Sequence, residues 1–232
     1  MWVRYAETAV YQKVREPDMK YKIERNTVQE TLILPLYSRK LCSELYPNLY
    51  RDETAVRLID QIDYDFSVAE KNSRSLMQRF GALEVAMRQC DLAWEVRDYL
   101  KTHPCAAVFF ASGVFYYFLT QQVKALVQGM ADAFPGGVLV FDAANRTAVK
   151  MIAKTWLRTA KIKDVGAYFA VSDAKSELSP WDNRLQVSSR GYMMGYNDLK
   201  DPSVSGFFRF LAKVGDNGMK MQIVKIGFGD RQ

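Results

Sequence analysis

The sequence predicts an α/β protein, an open sheet covered by helices, with a helical cap on its N-terminal side. Three observations predict it. A long helical pattern ends at His103-Pro104. An apolar run, Ala106 to Ala111, follows at once, with the character of a strand buried on both faces. A helical pattern over 120–134 and a second apolar run, "VLVFDAAN", come next. Strand, helix, strand over 106–144 is most simply a parallel pair joined by a right-handed crossover.

Each element has its own signal. Residues 1–29 are polar with a weak helical pattern and read as an extension. "TLILPLYSRKL" is apolar but broken by Pro35, so Leu32 to Leu36 is a short helix or an extended lid. Asp52 is an N-cap for the helical spacing of Ala55, Val56, Ile59 and Ile62. Residues 68–101 form one long helix, or two in series about Gly81. Leu76, Phe80, Leu83, Met87, Cys90 and Trp94 fall on one stripe of it. Glu84, Arg88, Asp91 and Glu95 fall on another.

Thr120 is the expected N-cap of a helix with Val123, Leu126, Val127, Met130 and Phe134 on one face. Pro135-Gly136-Gly137 ends it as a turn. Residues 145–163 predict another helix. Its apolar side is Val149, Ile152, Trp156, Leu157 and Ala160, and its basic side Arg146, Lys150, Lys154, Arg158 and Lys161. "VSDAKSELSPWDN" has loop composition. "LQVSSRGYMMGY" is strand-like, "DPSVSGFFRFLAKVGD" a short helix, and "MKMQIVKIGF" an alternating, antiparallel strand at or near an edge. The expected divisions are an extension (1–29), helical cap and lead-in helices (30–104) and α/β core (105–230).

Composition narrows the function classes. Of 232 residues, 49% are hydrophobic and 25% charged, which is that of an ordinary globular protein. Net charge of +6 permits an acidic partner without demanding one. Cys42, Cys90 and Cys105 lie far apart and are odd in number, which argues against a disulfide framework and for a reducing, cytoplasmic setting. One histidine leaves little material for His-rich metal sites or Ser-His pairs, so no metal is expected. At the end of a helix, His103 reads as a carbonyl cap. No run reaches the ~18 to 20 apolar residues of a membrane span. The first residues lack the apolar region of a secretory leader, so none is expected.

The chemistry-bearing positions are few. G-x-G-x-x-G, G-x-x-x-x-G-K-[ST] and H-E-x-x-H are all absent. Ligands of doubly wound sheets sit beyond the carboxyl ends of strands. One such end carries Ser112-Gly113 with Tyr116 and Tyr117, the other Asp142 with Asn145 and Arg146. Phe115 to Phe118 read equally well as core. Arg88 has the planar fork that clamps a carboxylate, but an exposed helix pairing with Glu84 and Asp91 is the favoured reading of the residues. The basic face from Arg146 to Lys161 has no interleaved aromatics and no nucleic-acid motif, so a solvated face is favoured over nucleic-acid binding.

Several stretches together resemble one family. They are "ETLILPLYSRK", "IDYDFS", "AMRQCDLAWEVRDYLKTHP", "GVFYYFLTQQV", "FPGGVLVFDAAN" and "SELSPWDNRLQVSSRGYMMGY". In order and number they resemble the leucine carboxyl methyltransferase-like group of class I S-adenosylmethionine-dependent methyltransferases, which includes polyketide O-methyltransferases. The resemblance covers residues 28–229. It implies a Rossmann-like sheet, an S-adenosylmethionine cofactor with S-adenosylhomocysteine as product, and methyl transfer to a carboxylate or hydroxyl of a small molecule or peptide end.

The resemblance also implies a shortened sheet. In the family, the helix ending near His-Pro leads to a strand like "VVNLGCGLDT", whose glycines hold the methyl donor. Here Cys105-Ala106-Ala107 passes straight to Val108-Phe109-Phe110. The block that carries most of the donor site is absent between Ala107 and Val108. Arg88 matches the family arginine that clamps the donor's carboxylate. Ser112 stands where the family often has an acidic residue, before Gly113. Tyr37, Tyr116, Tyr117, Tyr192 and Asp142 fall in segments implied to face the substrate, and no catalytic base is assigned. Loss of adjacent strands would bare an edge over Val108 to Ala111, which implies a homodimer through that edge or a non-catalytic interaction module.

Overall fold

The computed structural model describes residues 20–24, 27–109, 111–152, 154, 166–197 and 199–229. The α-helices and β-strands follow in the order β1 (Tyr21–Lys22), α1 (Val28–Leu45), α2 (Glu53–Asp60), β2 (Ile62–Asp63), α3 (Ser67–Asn72), α4 (Leu76–Thr102), α5 (Thr120–Ala133), β3 (Val138–Ala143), α6 (Arg146–Ile152), α7 (Ala174–Leu178), β4 (Leu185–Gly191), α8 (Gly206–Gly218) and β5 (Gln222–Phe228). The class is mixed α/β. Helix outweighs strand, 53% to 13%, because the main sheet is only three strands wide and is covered on both faces.

That sheet has the order β3-β5-β4, and β5 pairs antiparallel with both neighbours. The alternation of each strand sends side chains to opposite faces. Leu139, Phe141 and Ala143 of β3, with Val224, Ile226 and Phe228 of β5, meet α5 and α7 in one core. Val140 and Ile223 turn to the other face, where α1, α4 and α8 supply Leu41, Met87 and Phe208. A two-stranded parallel ladder, Tyr21–Lys22 against Ile62–Asp63, ties the first described residues to the helical cap.

Several helix ends follow the sequence directly. Asp52 caps α2, its carboxylate accepting the Ala55 N–H at 2.8 Å. His103 closes α4: its ring stacks on Tyr99 with centroids 4.1 Å apart, and Nδ1 lies 3.2 Å from the Tyr99 carbonyl. Gly136, at φ +73°, supplies the turn after α5.

Other expectations are corrected. The run Ala106 to Ala111 is not a strand: residues 106–109 lack regular structure, Val108 and Phe109 are exposed, and Phe110 lies outside the described residues. The expected parallel crossover to β3 is therefore absent. The chain just beyond it is held to β3 through two side chains of that strand rather than by a backbone ladder. Asp142 accepts the Gly113 N–H, and Phe115 packs on Phe141 with ring centroids 4.9 Å apart. The final strand, expected near an edge, is central, because β4 takes its outer side.

Pro35 lies within α1 rather than breaking it, the lost hydrogen bond being outweighed by packing of this helix along α4. Gly81 does not divide the long helix. The break falls at residues 73–75, where Ser75 accepts the Gln78 N–H and starts α4. Leu119, not Thr120, is the N-cap of α5, and the Gln122 side chain accepts its N–H at 2.8 Å. Part of the expected loop "VSDAKSELSPWDN" is α7, capped by Asp173, which accepts from Ser176 N–H. Of the expected helix 145–163, residues 153 and 155–163 lie outside the described residues.

These corrections predict contrasting stabilities. Ile226→Ala in the central strand costs about 2–5 kcal/mol by urea unfolding. Phe109→Ser, 81% exposed, changes stability by less than about 0.5 kcal/mol.

Candidate functional site

Helix α4 is buried on two sides, and its charged stripe is one of them. Residues four or three apart share a face, so Glu84, Arg88, Asp91 and Glu95 descend the side that meets the sheet. Each has a partner. Glu84 accepts the Tyr192 hydroxyl at 3.0 Å. Arg88 Nη1 meets Asp142 Oδ2 of β3 at 3.1 Å. Asn197 donates to Asp91 at 2.9 Å. Glu95 accepts from the Tyr196 hydroxyl at 2.7 Å and from Lys225 of β5 at 2.9 Å. The favoured sequence reading, an exposed pairing of Arg88 with Glu84 and Asp91, is thereby corrected: Arg88 pairs across to the sheet, and Asp91 is buried. Buried polar groups are costly unless met, and here the sheet and the turn after β4 bring a partner to each of the four side chains.

Two of the partners arrive on the "GYMMGY" turn after β4, which the sequence marked only as glycine-bearing. Asp216 of α8 builds it, its carboxylate accepting the N–H groups of Met193 and Met194 at 3.1 and 2.7 Å. A side chain at Gly191 would collide with that carboxylate. The turn then presents Tyr192 to Glu84 and Tyr196 to Glu95.

The Arg88 end of the stripe gathers residues from three remote segments. Asp142 reaches it because even positions of β3 face α4. Its second oxygen accepts the Gly113 N–H at 2.7 Å. Gly113 stands at φ +70°, a conformation costly to any residue with a Cβ, so the bend is a glycine position. The Tyr116 hydroxyl also bonds Asp142, and burial holds the Tyr116 and Tyr192 phenols well above their ordinary range. Burial likewise raises the Glu84 carboxyl, against the pull of Arg88.

Beside this cluster lies a cavity of about 320 Å³. Tyr37, Tyr64, Phe66 and Phe80 contribute aromatic walls, and Met77, Met151, Met219 and Met221 flexible thioether surface. Tyr37 stacks on Phe66, with ring centroids 5.5 Å apart. Glu84 is the one charged residue shared by the cavity and the polar stripe.

Of the residues expected from sequence, Arg88, Gly113, Asp142, Tyr116 and Tyr192 come together, and Tyr37 lines the cavity. Ser112 and Tyr117 contribute nothing to its walls. Sequence reasoning missed Glu84, although its position four residues before Arg88 was the available signal. It also missed Tyr64 and Phe66, which sit in the "IDYDFS" stretch that carried the resemblance. Among the described residues there is no cluster of His, Cys, Asp and Glu able to hold a metal ion, and no helix is long and apolar enough to cross a membrane. No family model, curated protein or solved structure matches the chain.

The lower stripe yields a pH prediction. Asp91 is 1% exposed, and no donor meets its Oδ2. Burial, outweighing the Asn197 bond, pushes its carboxyl up to about 8 from an ordinary 3.8. Folding therefore takes up a proton in that window, and the contribution to stability is full below about 4 and lost as pH rises through about 8. Relative to Asp91→Asn, the wild-type chain is expected to lose stability progressively between pH 5 and pH 8, by at most about 1.4 kcal/mol per pH unit. Urea unfolding of both proteins across that range checks it.

Proposed function

We propose that the chain is built on the core of an S-adenosylmethionine-dependent O-methyltransferase of the leucine carboxyl methyltransferase-like group. Its apolar cavity takes the methyl acceptor, a small molecule or peptide end with a carboxylate or hydroxyl, in a cytoplasmic setting. The observation that supports this reading is the meeting of Arg88, Gly113 and Asp142. The resemblance drew these residues to the cofactor and substrate sides, and they lie 54 and 29 positions apart along the chain. A shortened Rossmann-like sheet goes with the reading, although the three described strands of the main sheet pair antiparallel.

The fit to the donor is confined to its amino-acid end. Arg88 is fixed in the cluster with its Nε buried and unpartnered, and Asp142 stands beside it. Adjacent opposite charges match a group carrying both a carboxylate and an ammonium. No glycine-rich turn among the described residues matches the nucleoside. S-adenosylmethionine supplies an activated methyl group when bound. The chain's own part is to hold the acceptor in line with it and to exclude water, and methyl transfer asks for little more.

A second reading rests on a specific observation. Arg88 already holds Asp142, and the Gly113 N–H is spent on the same carboxylate. A donor must displace that pairing. If it does not, the chain is a non-catalytic interaction module that retains the cavity; the dimer edge expected over Val108 to Ala111 is not a strand, and the outer edge of β3 takes its place in this reading.

Isothermal titration with S-adenosylhomocysteine separates the two. The methyltransferase reading predicts micromolar binding, weakened at least tenfold by Arg88→Ala in a variant that still unfolds cooperatively. Absence of binding by the folded chain overturns it and leaves the interaction module.

A further inference from the structure

The cavity's charge pattern distinguishes between acceptor chemistries that the fold leaves equal. Its walls are formed from α1, α3, α4, α6 and α8 and their flanking turns. Among the described residues that line it there is no lysine, arginine or histidine. There are two carboxylates, Asp65 at the exposed mouth and Glu84 within. Arg88, the cation whose charge acts on Glu84, is already committed to Asp142. The trio of Glu84, Arg88 and Asp142 thus carries two negative groups against one positive when ionised.

Glu84 is also held in place. Its Oε1 accepts the Tyr192 hydroxyl, and Tyr192 is itself 1% exposed at the start of the turn built on Asp216. A carboxylate fixed at one oxygen on an apolar wall presents its other acceptor capacity at a defined place. Around it, Phe80, Tyr37 and Phe66 offer flat surfaces, and methionines adapt to irregular outlines. This is the form of a small-molecule site: mostly apolar, with one convergent polar group that fixes orientation.

We propose that the cavity binds a planar apolar molecule bearing a hydroxyl hydrogen-bond donor, and that Glu84 accepts that donor and rejects carboxylate ligands. The inference rests on the assignment of the cavity as an acceptor site, and it narrows the acceptor from a carboxylate or hydroxyl to the hydroxyl. An anionic ligand would meet Glu84 with no cation among the described lining residues to offset the repulsion in a low-dielectric wall. A phenolic hydroxyl would give Glu84 a charge-assisted hydrogen bond.

The test uses the full chain without any methyl donor, so it is independent of the S-adenosylhomocysteine titration. Equilibrium binding of 2-naphthol, naphthalene and 2-naphthoate is measured at pH 7.5 by quenching of ligand fluorescence. The proposal expects 2-naphthol to bind about tenfold or more tighter than naphthalene, and 2-naphthoate weakest. Glu84→Gln keeps an acceptor for Tyr192 and removes the charge. It is expected to narrow the gap between 2-naphthol and 2-naphthoate by about tenfold. Tyr192→Phe, which frees Glu84 from its anchor, is expected to weaken 2-naphthol while 2-naphthoate stays excluded. Equal or tighter binding of 2-naphthoate by the wild-type chain overturns the proposal. So does failure of all three probes to bind folded protein, or a preference unchanged in both variants. Donor binding with the wrong probe order would leave the methyltransferase reading standing and remove only this one.

Discussion

The fold depends on a helix that turns its charges inward. Glu84, Arg88, Asp91 and Glu95 of α4 all face the sheet, and each is met by a group delivered from elsewhere: Tyr192, Asp142, Asn197, and Tyr196 with Lys225. A buried ion pair is a poor source of net stability, since desolvation offsets much of the attraction. What it provides is position. Slipping α4 by one residue would leave Arg88 and Asp142 both buried and both unpaired. The register of helix against β3 is thus fixed by the cost of the alternatives. The same pair fixes the bend at Gly113, because Asp142 binds Arg88 with one oxygen and the Gly113 N–H with the other.

From that constraint the rest follows. The "GYMMGY" turn exists to bring two tyrosines to the stripe, and Asp216 exists to hold the turn. The segment after His103 is tied to β3 through Gly113 and Phe115, so it need not become a strand. The cavity lies between α4 and residues of α1, α3, α6 and α8, and Glu84 joins it to the polar stripe. One carboxylate therefore belongs both to the packing that orients α4 and to the surface a ligand would meet.

The sequence made some of this legible. Binary patterning located α4, α5, α8, β3 and β5, since each helix buries an apolar face and each strand is buried between two cores. Asp52 and His103 were readable as caps because capping is a local event. The stripe was visible too, but its environment was not: a run of charges at helical spacing looks the same whether water or a sheet lies opposite. Ala106 to Ala111 failed for the converse reason. Apolar character marks a segment that can pair as a strand, yet pairing needs a neighbour, and β3 is met by the chain further on, at Gly113 and Phe115, while Val108 and Phe109 stay exposed. The cavity residues Tyr64 and Phe66 came from a stretch quoted for the resemblance, whose contacts with Glu30 and Tyr37 of α1 depend on long-range packing.

The most direct test of the inward stripe is a double-mutant cycle on Arg88 and Asp142 by urea unfolding, with Arg88→Met, Asp142→Leu and the pair. Each single change strands a buried charge and is expected to cost about 3–5 kcal/mol. The double variant, with both charges gone, is expected to be clearly more stable than either single, so the coupling exceeds about 2 kcal/mol. Single changes worth less than about 0.5 kcal/mol and simply additive would mean that the two side chains face water, and that α4 does not pack on the sheet by its charged face.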